Sequence, residues 1–221
     1  MKVLISIPAY NEEKSIGSVI DEIQSVMKKT KYQYAIAVID DGSKDKTVEI
    51  ATQRGAQVVV HPVNQGLAEA FRTEIKNFLA SKYDVFVHID ADGQYKAEDI
   101  PKLVEEVSKG YDLVLGDRFS GGIEEMPFMK KLGNRAFSKV ISNIIKYKVN
   151  DCQTGFRAFN RKTAQIPIRS THTYTQEQII KAVKEKLKIK EVPTYFRRRD
   201  GESRLLRNPF EYAIKAWINL F

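Results

Sequence analysis

The first half of this 221-residue chain alternates short β-branched runs with segments of helical periodicity, and that alternation constrains the fold more than any other feature. Strand-like runs occupy residues 3–8, 34–40, 57–60, 85–90 and 113–116. Three intervening segments, around residues 16–27, 67–79 and 100–107, repeat apolar side chains at helical spacing. The pattern predicts an α/β fold in which a mostly parallel sheet is flanked by crossover helices.

Polar and mostly acidic side chains follow the predicted strands. The runs are Ala9-Tyr10-Asn11-Glu12, Asp40-Asp41-Gly42-Ser43, Asp90-Ala91-Asp92-Gly93-Gln94 and Gly116-Asp117-Arg118. Open α/β sheets bind ligands beyond the carboxyl ends of their strands, so these residues are expected to meet at one edge. An aspartate pair at such an edge suits Mg²⁺ or Mn²⁺, which prefer hard oxygen ligands and bridge phosphates.

Charge is distributed unevenly along the chain. Residues 1–117 carry 14 basic and 19 acidic side chains, whereas residues 118–221 carry 22 basic and 9 acidic ones. A basic half attracts phosphate groups on nucleic acid, an anionic membrane or a lipid substrate, and a solvated basic surface is the alternative. Cys152 is the only cysteine and no run of 18 apolar residues occurs, so we expect neither a disulfide nor a membrane-spanning segment.

Several function classes lack their signatures in this chain. No G-x-G-x-x-G follows the first strand, as a dehydrogenase would require, and no G-x-x-x-x-G-K-[ST] indicates a P-loop kinase. No helix-turn-helix, zinc or RNP pattern accompanies the basic balance, so we expect no nucleic-acid partner.

The second half is less regular. A helix is predicted over residues 130–147, another near 176–186, and a strand over 189–195 before the basic stretch 197–204. Asn208 and Pro209 are a good start for a terminal amphipathic helix over 208–221, with Trp217 on its apolar face. This helix is able to pack on the body, pair with a second subunit, or lie in a membrane interface.

Six motifs occur in order along nearly the whole chain: P-A-Y-N-E, D-D-G-S, D-A-D-G-Q, G-D-R-F, D-C-Q-T-G-F-R-A-F and R-R-D-G-E-S-R. With these motifs the chain resembles family 2 glycosyltransferases of the GT-A fold, within them the dolichyl-phosphate mannose or glucose synthase group. The resemblance implies an inverting, metal-dependent transfer of a hexose from a GDP-mannose or UDP-glucose type of donor to a polyprenyl (dolichyl) phosphate. It implies a catalytic domain over 1–207, with a nucleotide and metal half (1–117) and an acceptor half (118–207), then the helix 208–221.

The resemblance also assigns roles on the donor side. Asp92 and Gln94 match the metal-binding pair, with Asp90 as the partner acid, and Asp41 matches the carboxylate that reads the base, with Asp40 as the competing choice. The remaining nucleotide-sugar-binding candidates are Pro8, Ala9, Tyr10, Glu12, Arg199 and Arg204.

On the acceptor side, Arg118 and Arg135 are the candidates for binding the acceptor phosphate. Glu177 matches an acid that serves as base in relatives with hydroxyl acceptors, and otherwise orients arginines such as Arg157 or caps its helix. Asp151 and Arg157 are interpreted as a buried structural pair. A phosphate monoester is already anionic at neutral pH, so its enzyme needs arginines more than a strong base, and in-line attack inverts the anomeric carbon.

Two alternatives stay open at this point: a transferase of the same fold with a hydroxyl acceptor, and a non-catalytic nucleotide-sugar-binding protein. We expect a cytoplasmic location, peripheral on the cytoplasmic face of the membrane through the terminal helix, and a possible homo-oligomer. His88 and Cys152 are interpreted as buried core residues rather than ligands.

Overall fold

A seven-stranded sheet organises the protein, whose computed structural model describes residues 1–198. The strands are β1 (Lys2–Ala9), β2 (Gln33–Asp40), β3 (Gln57–Val60), β4 (Val85–His88), β5 (Leu113–Asp117), β6 (Arg157–Asn160) and β7 (Ile189–Pro193). Their order is β3-β2-β1-β4-β6-β5-β7, and β6 alone runs antiparallel to its neighbours. The predicted mostly parallel α/β sheet is confirmed.

Helices cover both faces of this sheet. They are α1 (Ile16–Met27), α2 (Thr47–Gln53), α3 (Leu67–Ala80), α4 (Ile100–Ser108), α5 (Arg118–Gly121), α6 (Phe128–Ile145), α7 (Arg161–Ala164) and α8 (Tyr174–Lys184), with a 3₁₀ turn at Ala97–Asp99. The three helices predicted in the first half are present as α1, α3 and α4. The short α2 was not predicted because it buries only Thr47 and Ala51, too few positions to show a helical period.

The core forms one layer on each face of the sheet, because successive strand residues point to opposite sides. In β1, Val3, Ile5 and Ile7 pack into the layer that contains α1 and α4. Leu4 packs into the opposite layer, which contains α3 and α8. Burial on both faces explains why the central strands read as nearly continuous apolar runs.

Strand β6 is the strand that the sequence did not predict. It is four residues long, starts with Arg157, and pairs antiparallel with both β4 and β5. An arginine that is completely buried breaks the apolar pattern expected of a central strand. Its position brings residues 154–157 to the same edge as Asp90.

Several predictions concern residues outside the described range 1–198. These are the roles of Arg199 and Arg204, the boundary at 207 and the helix over 208–221. Within the described range, no helix combines the length and apolar character needed to cross a membrane.

Candidate active site

The loops after β1 and β2 are bound to each other by side-chain hydrogen bonds. The Asn11 amide donates to Ser43 Oγ at 2.8 Å, and the Lys44 amide donates to Asn11 Oδ1 at 2.7 Å. The Glu12 amide donates to Thr47 Oγ1 at 2.8 Å. Asn11 has φ 53°, a left-handed conformation that asparagine tolerates better than most residues. The two predicted nucleotide-binding segments therefore form one platform.

Asp40 and Asp41 are both buried but differ in how their carboxylates are used. Asp41 accepts hydrogen bonds from the Gln65 and Gly66 amides at 2.9 and 2.8 Å and contacts His61 Nδ1 at 2.8 Å. Asp40 accepts from the Ser43 amide through Oδ2, while its Oδ1 has no hydrogen-bond partner among residues 1–198. The geometry therefore favours Asp40 as the carboxylate with capacity for a ligand, and Asp41 as the anchor of the loop 61–66.

The D-x-D loop turns sharply after β4. Gly93 has φ 75°, which lets the Gln94 amide donate to Asp92 Oδ1 at 3.1 Å. The loop is also held by Arg197, whose amide donates to the Gln94 carbonyl at 2.8 Å and whose guanidinium binds both carboxylate oxygens of Glu22 at 2.9 and 3.0 Å. Arg197 and Glu22 are positioning residues that the sequence did not reveal.

Asp90 lies beside a buried carboxylate–histidine pair. His88 Nδ1 contacts Glu74 Oε2 at 2.8 Å, and its Nε2 lies 3.5 Å from Asp90 Oδ1. Burial disfavours the imidazolium, yet Glu74 and Asp90 together raise the pKa of His88 to about 9. The imidazole of His88 therefore places a positive charge next to the Asp90 carboxylate. His88 is completely buried, as predicted, but its Nε2 has no hydrogen-bond partner within residues 1–198 and only the 3.5 Å contact with Asp90.

The carboxylates of the D-x-D loop fit a divalent cation that shares its ligands with a substrate. Residues 1–198 contain no cluster of three or more His, Cys, Asp or Glu side chains able to hold a metal alone. Asp90 is nevertheless 33% exposed at its side chain, unlike the buried His88 behind it. Mg²⁺ is commonly bound by one or two carboxylates, with waters and phosphate oxygens completing its shell. The donor set suits that mode.

Gly155 packs directly against the carboxylate of Asp90. A Cβ at this position would lie 3.1 Å from both carboxylate oxygens. The Gly155 amide donates a hydrogen bond to the Tyr95 hydroxyl at 3.2 Å, which holds the backbone in place beside Asp90. The glycine in the T-G-F-R run therefore makes room for Asp90.

We expect Gly155→Ala to lower kcat about tenfold, because Asp90 is predicted to act at the metal site and a displacement of a fraction of an ångström would cost it productive geometry. The midpoint of thermal unfolding should change little, since the added methyl meets a flexible side chain. Gly133→Ala is the matched control, because a Cβ there meets nothing within 4 Å. Equal activity in both variants would show that Asp90 tolerates displacement.

Arg118 is buried and bound to Asp151, which corrects the predicted Asp151–Arg157 pair. Its Nε donates to Asp151 Oδ2 at 2.6 Å and its Nη2 to Oδ1 at 2.8 Å. Burial by itself would lower the pKa of Arg118, but Tyr95, Asp151 and Asp90 raise it. Arg118 thus lies within the electrostatic reach of Asp90, as its predicted role requires, but two of its donors are already used.

Arg157 is completely buried and satisfied mainly by uncharged acceptors. It donates to Gln178 Oε1 at 2.9 Å, to the Gly155 and Thr175 carbonyls at 3.3 Å, and to the Thr154 carbonyl. Burial lowers its pKa. The guanidinium connects the D-C-Q-T-G-F-R segment to α8 through these hydrogen bonds, and so holds in place the segment beside Asp90.

Glu177 does not orient Arg157. It accepts hydrogen bonds from the Arg169 amide at 2.9 Å, the Ser170 amide at 2.7 Å and Lys181 Nζ at 2.6 Å. Partial burial opposes ionisation, but these hydrogen bonds outweigh it and lower the pKa of Glu177. A carboxylate held in this way stabilises the turn before α8 and is a weak base.

A basic cavity of about 710 Å³ is lined by α5, α6 and the loop that follows α6. Arg135 lines it and places its guanidinium 5.0 Å from the centre of the Phe119 ring. The other cationic residues that line it are Lys139, Lys146 and Lys148. The predicted acceptor-phosphate residue Arg135 therefore lines this cavity together with Phe119, the residue that follows Arg118 in the chain.

Glu74 is a site residue that the sequence could have revealed. It falls on the apolar face of α3, among Ala70, Phe71 and Phe78, and is completely buried. A buried acid needs a polar or charged partner, and His88, the one polar residue of the apolar strand β4, is a candidate that the sequence offers. The two residues are 14 positions apart, and only the fold shows that they touch.

Comparison with known proteins identifies the family. The model of glycosyl transferase family 2 matches residues 4–165. The chain belongs to this family. Among curated relatives of this glycosyltransferase is the dolichyl-phosphate hexose transferase of Haloferax volcanii, 36% identical over 91% of this chain and 84% of the relative. An uncharacterised protein of Methanocaldococcus jannaschii is 38% identical over 87% of this chain and 80% of its own length.

Other relatives extend the range of sugars. The UDP-N-acetylglucosamine–dolichyl-phosphate N-acetylglucosaminyltransferase of Methanococcus voltae is 33% identical over 86% of this chain and 84% of its own length. A solved structure with the same fold is glucosyl-3-phosphoglycerate synthase of Mycobacterium tuberculosis with Mn²⁺ and UDP, at 22% identity and a TM-score of 0.71 over 98% of this chain and 76% of that one. The GT-A fold expected from the motifs is confirmed.

Proposed function

We propose that this glycosyltransferase moves a hexose from a nucleotide-sugar to a polyprenyl (dolichyl) phosphate, with inversion at the anomeric carbon. The observation that carries the proposal is the basic cavity beside the site, lined by Arg135, Lys139, Lys146 and Lys148. Its cations suit a phosphate, which takes charge-assisted hydrogen bonds from Arg and Lys. The names of the Haloferax and Methanococcus relatives support the same acceptor class.

The donor is held at the carboxyl ends of β1, β2 and β4. Pro8, Ala9, Tyr10 and Glu12 belong to the platform that receives the nucleoside, and Asp40 offers an unused carboxylate oxygen for the base or ribose. A base with an imide or amide N–H, uracil or guanine, suits this acceptor atom. GDP-mannose and UDP-glucose are the donors to test.

Asp92 and Asp90, with Gln94, would hold Mg²⁺ or Mn²⁺. The metal supplies positive charge where the nucleoside diphosphate leaves with its negative charge. The chain itself places His88 beside Asp90 and fixes the loop through Arg197. The Mn²⁺ and UDP in the mycobacterial synthase support the same cofactor for this fold.

The acceptor phosphate needs no base in this scheme, because its oxygen is already anionic at neutral pH. Glu177 is consistent with this scheme, because its lowered pKa makes it a poor proton acceptor. Arg118 and Arg135 would place the phosphate for in-line attack, which inverts the configuration. We further propose that the enzyme works as a peripheral protein on the cytoplasmic face of a membrane, either alone or as a homo-oligomer.

A hydroxyl acceptor is the second candidate, favoured by one observation. The fold neighbour glucosyl-3-phosphoglycerate synthase has been solved with glucosyl-3-phosphoglycerate, so the fold accommodates a small phosphorylated compound as well. Such an acceptor needs a base near its attacking hydroxyl. Glu177 would have to lose its amide donors to serve.

Transfer of radiolabelled sugar into an organic-extractable product tests the proposal. GDP-mannose, UDP-glucose and UDP-N-acetylglucosamine are supplied separately with a short polyprenyl phosphate and Mn²⁺ or Mg²⁺. We expect label in the organic phase from one donor, lost when the unphosphorylated polyprenol replaces the phosphate. Slow donor hydrolysis with no lipid product would keep the transferase and refute the lipid acceptor.

A further inference from the structure

Helix α6 exposes an apolar stripe to solvent. Phe128 and Met129 are 75% and 73% exposed, and Leu132, Val140 and Ile144 are between 42% and 51% exposed. Four of these residues, with Ala136 between them, follow one another at steps of four along the helix, which places them on one side. Large apolar side chains grouped in this way on a surface mark an interaction site.

The opposite side of α6 packs against the body of the protein, so the apolar stripe is not needed to hold the helix in place. Ser138 and Ile141 are its only fully buried residues in the described structure, and Phe137 and Ile145 pack partly against the core. Eighteen residues give a helix about 27 Å long. The helix is thus anchored along one narrow line, and its apolar stripe is available to a partner.

The charge around the stripe is of one sign. Residues 126–150 contain six Lys or Arg side chains and no Asp or Glu. The six are Lys130, Lys131, Arg135, Lys139, Lys146 and Lys148. A helix with an apolar stripe and flanking cations combines the two properties that bind an anionic lipid surface.

We propose that the stripe of α6 docks the protein on an anionic lipid bilayer, with the helix lying in the interface. The apolar side chains enter the headgroup region, and the flanking lysines meet the negative surface potential. This surface is distinct from the terminal segment 208–221, in which the sequence predicted a membrane-binding helix. A charged helix of this kind lies on a membrane and does not span it.

A second copy of the chain is a poorer occupant of the same face. A twofold contact would bring the α6 helices of two subunits together and set like charges against each other. Like charges that face each other across a contact are unfavourable, whereas anionic lipid offers the complementary sign. The same helix also forms a wall of the basic cavity, so docking would bring that cavity to the level of lipid phosphates.

Co-sedimentation of the full chain with vesicles tests the proposal without donor, metal or turnover, so it can fail independently of the proposed reaction. We expect binding to mixed phosphatidylglycerol–phosphatidylcholine vesicles and little binding to phosphatidylcholine alone. The stripe variant Phe128→Ser/Met129→Ser/Leu132→Ser should lose affinity by about 100-fold or more. The charge variant Lys130→Gln/Lys131→Gln should lose about 25-fold, at roughly fivefold per lysine.

Matched controls come from other exposed positions. Val59→Ser/Val60→Ser removes apolar side chains from the exposed edge strand β3, and Lys28→Gln/Lys29→Gln removes two adjacent lysines after α1. Both controls should bind vesicles as the parent does. Unchanged binding of the stripe variant would overturn the proposal. So would a dimeric parent that becomes monomeric in the stripe variant while vesicle binding stays the same.

A fluorescent label gives a second readout that a folding defect does not mimic. Cys152 is the only cysteine, is completely buried, and burial raises the pKa of its thiol to about 12, so it should not react with a maleimide. Leu132→Cys labelled with an environment-sensitive dye should shift to the blue on anionic vesicles. Val60→Cys should not shift, and equal shifts at both positions would contradict a specific orientation.

Discussion

Asp92→Ala is expected to lower sugar transfer about 10³-fold, because it removes a proposed ligand of the proposed metal, whose charge would balance that of the leaving diphosphate. The fold should stay intact, since Asp92 lies in a turn after β4 rather than in the core. The measurement pairs steady-state transfer with the thermal unfolding midpoint, and calorimetric titration of Mn²⁺ with nucleoside diphosphate shows directly whether metal binding is lost.

Asp21→Ala is the matched control for that variant. Asp21 is 59% exposed at its side chain and makes a surface ion pair with Arg54, so its loss should leave transfer unchanged. Full activity of the parent enzyme in excess chelator would remove the metal from the mechanism. Wild-type transfer by Asp92→Ala would exclude Asp92 as a metal ligand.

Asp151→Asn is expected to destabilise the protein by about 3–5 kcal/mol, because it leaves the guanidinium of Arg118 buried without its counter-charge. Asp151 is completely buried and Arg118 is 6% exposed, so water does not replace the lost carboxylate. Guanidinium chloride unfolding measures the free energy. Asp21→Asn, which breaks the exposed pair with Arg54, should cost less than about 1 kcal/mol.

A double variant separates the structural role of Arg118 from its proposed acceptor role. Arg118→Met/Asp151→Leu removes both charges, and buried pairs replaced by apolar residues of similar volume often keep their stability. We expect this variant to fold with most of the parental stability but to use the polyprenyl phosphate poorly, with donor hydrolysis retained. Full transfer activity in the folded double variant would show that Arg118 serves the structure alone.

Short contiguous motifs and long amphipathic helices could be predicted from the sequence. The strand-end motifs were recognised because each is contiguous: P-A-Y-N-E, D-D-G-S and D-A-D-G-Q each lie within five residues, and a parallel sheet brings strand ends together. The helices α1, α3 and α4 were predicted because their apolar faces repeat over nine residues or more. Strand β6 was missed because four residues that begin with a buried arginine show no period.

The partners of buried charges were harder to predict. Asp151 was assigned to Arg157, six residues away, whereas the structure pairs it with Arg118, 33 residues away. Both arginines are buried, and the spacing along the chain carries no information about which one meets the carboxylate. The sequence also did not show which of Asp40 and Asp41 keeps an unused carboxylate oxygen. His61 and the amides of the loop 61–66 bind the carboxylate of Asp41, and these partners are 20 or more residues away along the chain.

The sequence by itself determined the α/β class and the family, because these depend on local periodicity and on short contiguous motifs, and from the same motifs it predicted the acids that would hold a metal. Only the tertiary structure decided which carboxylates remain available, that Gly155 makes room for Asp90, and that α6 leaves an apolar stripe uncovered. Those properties depend on contacts between distant segments, and burial and hydrogen bonding at such contacts are set by packing rather than by any local pattern.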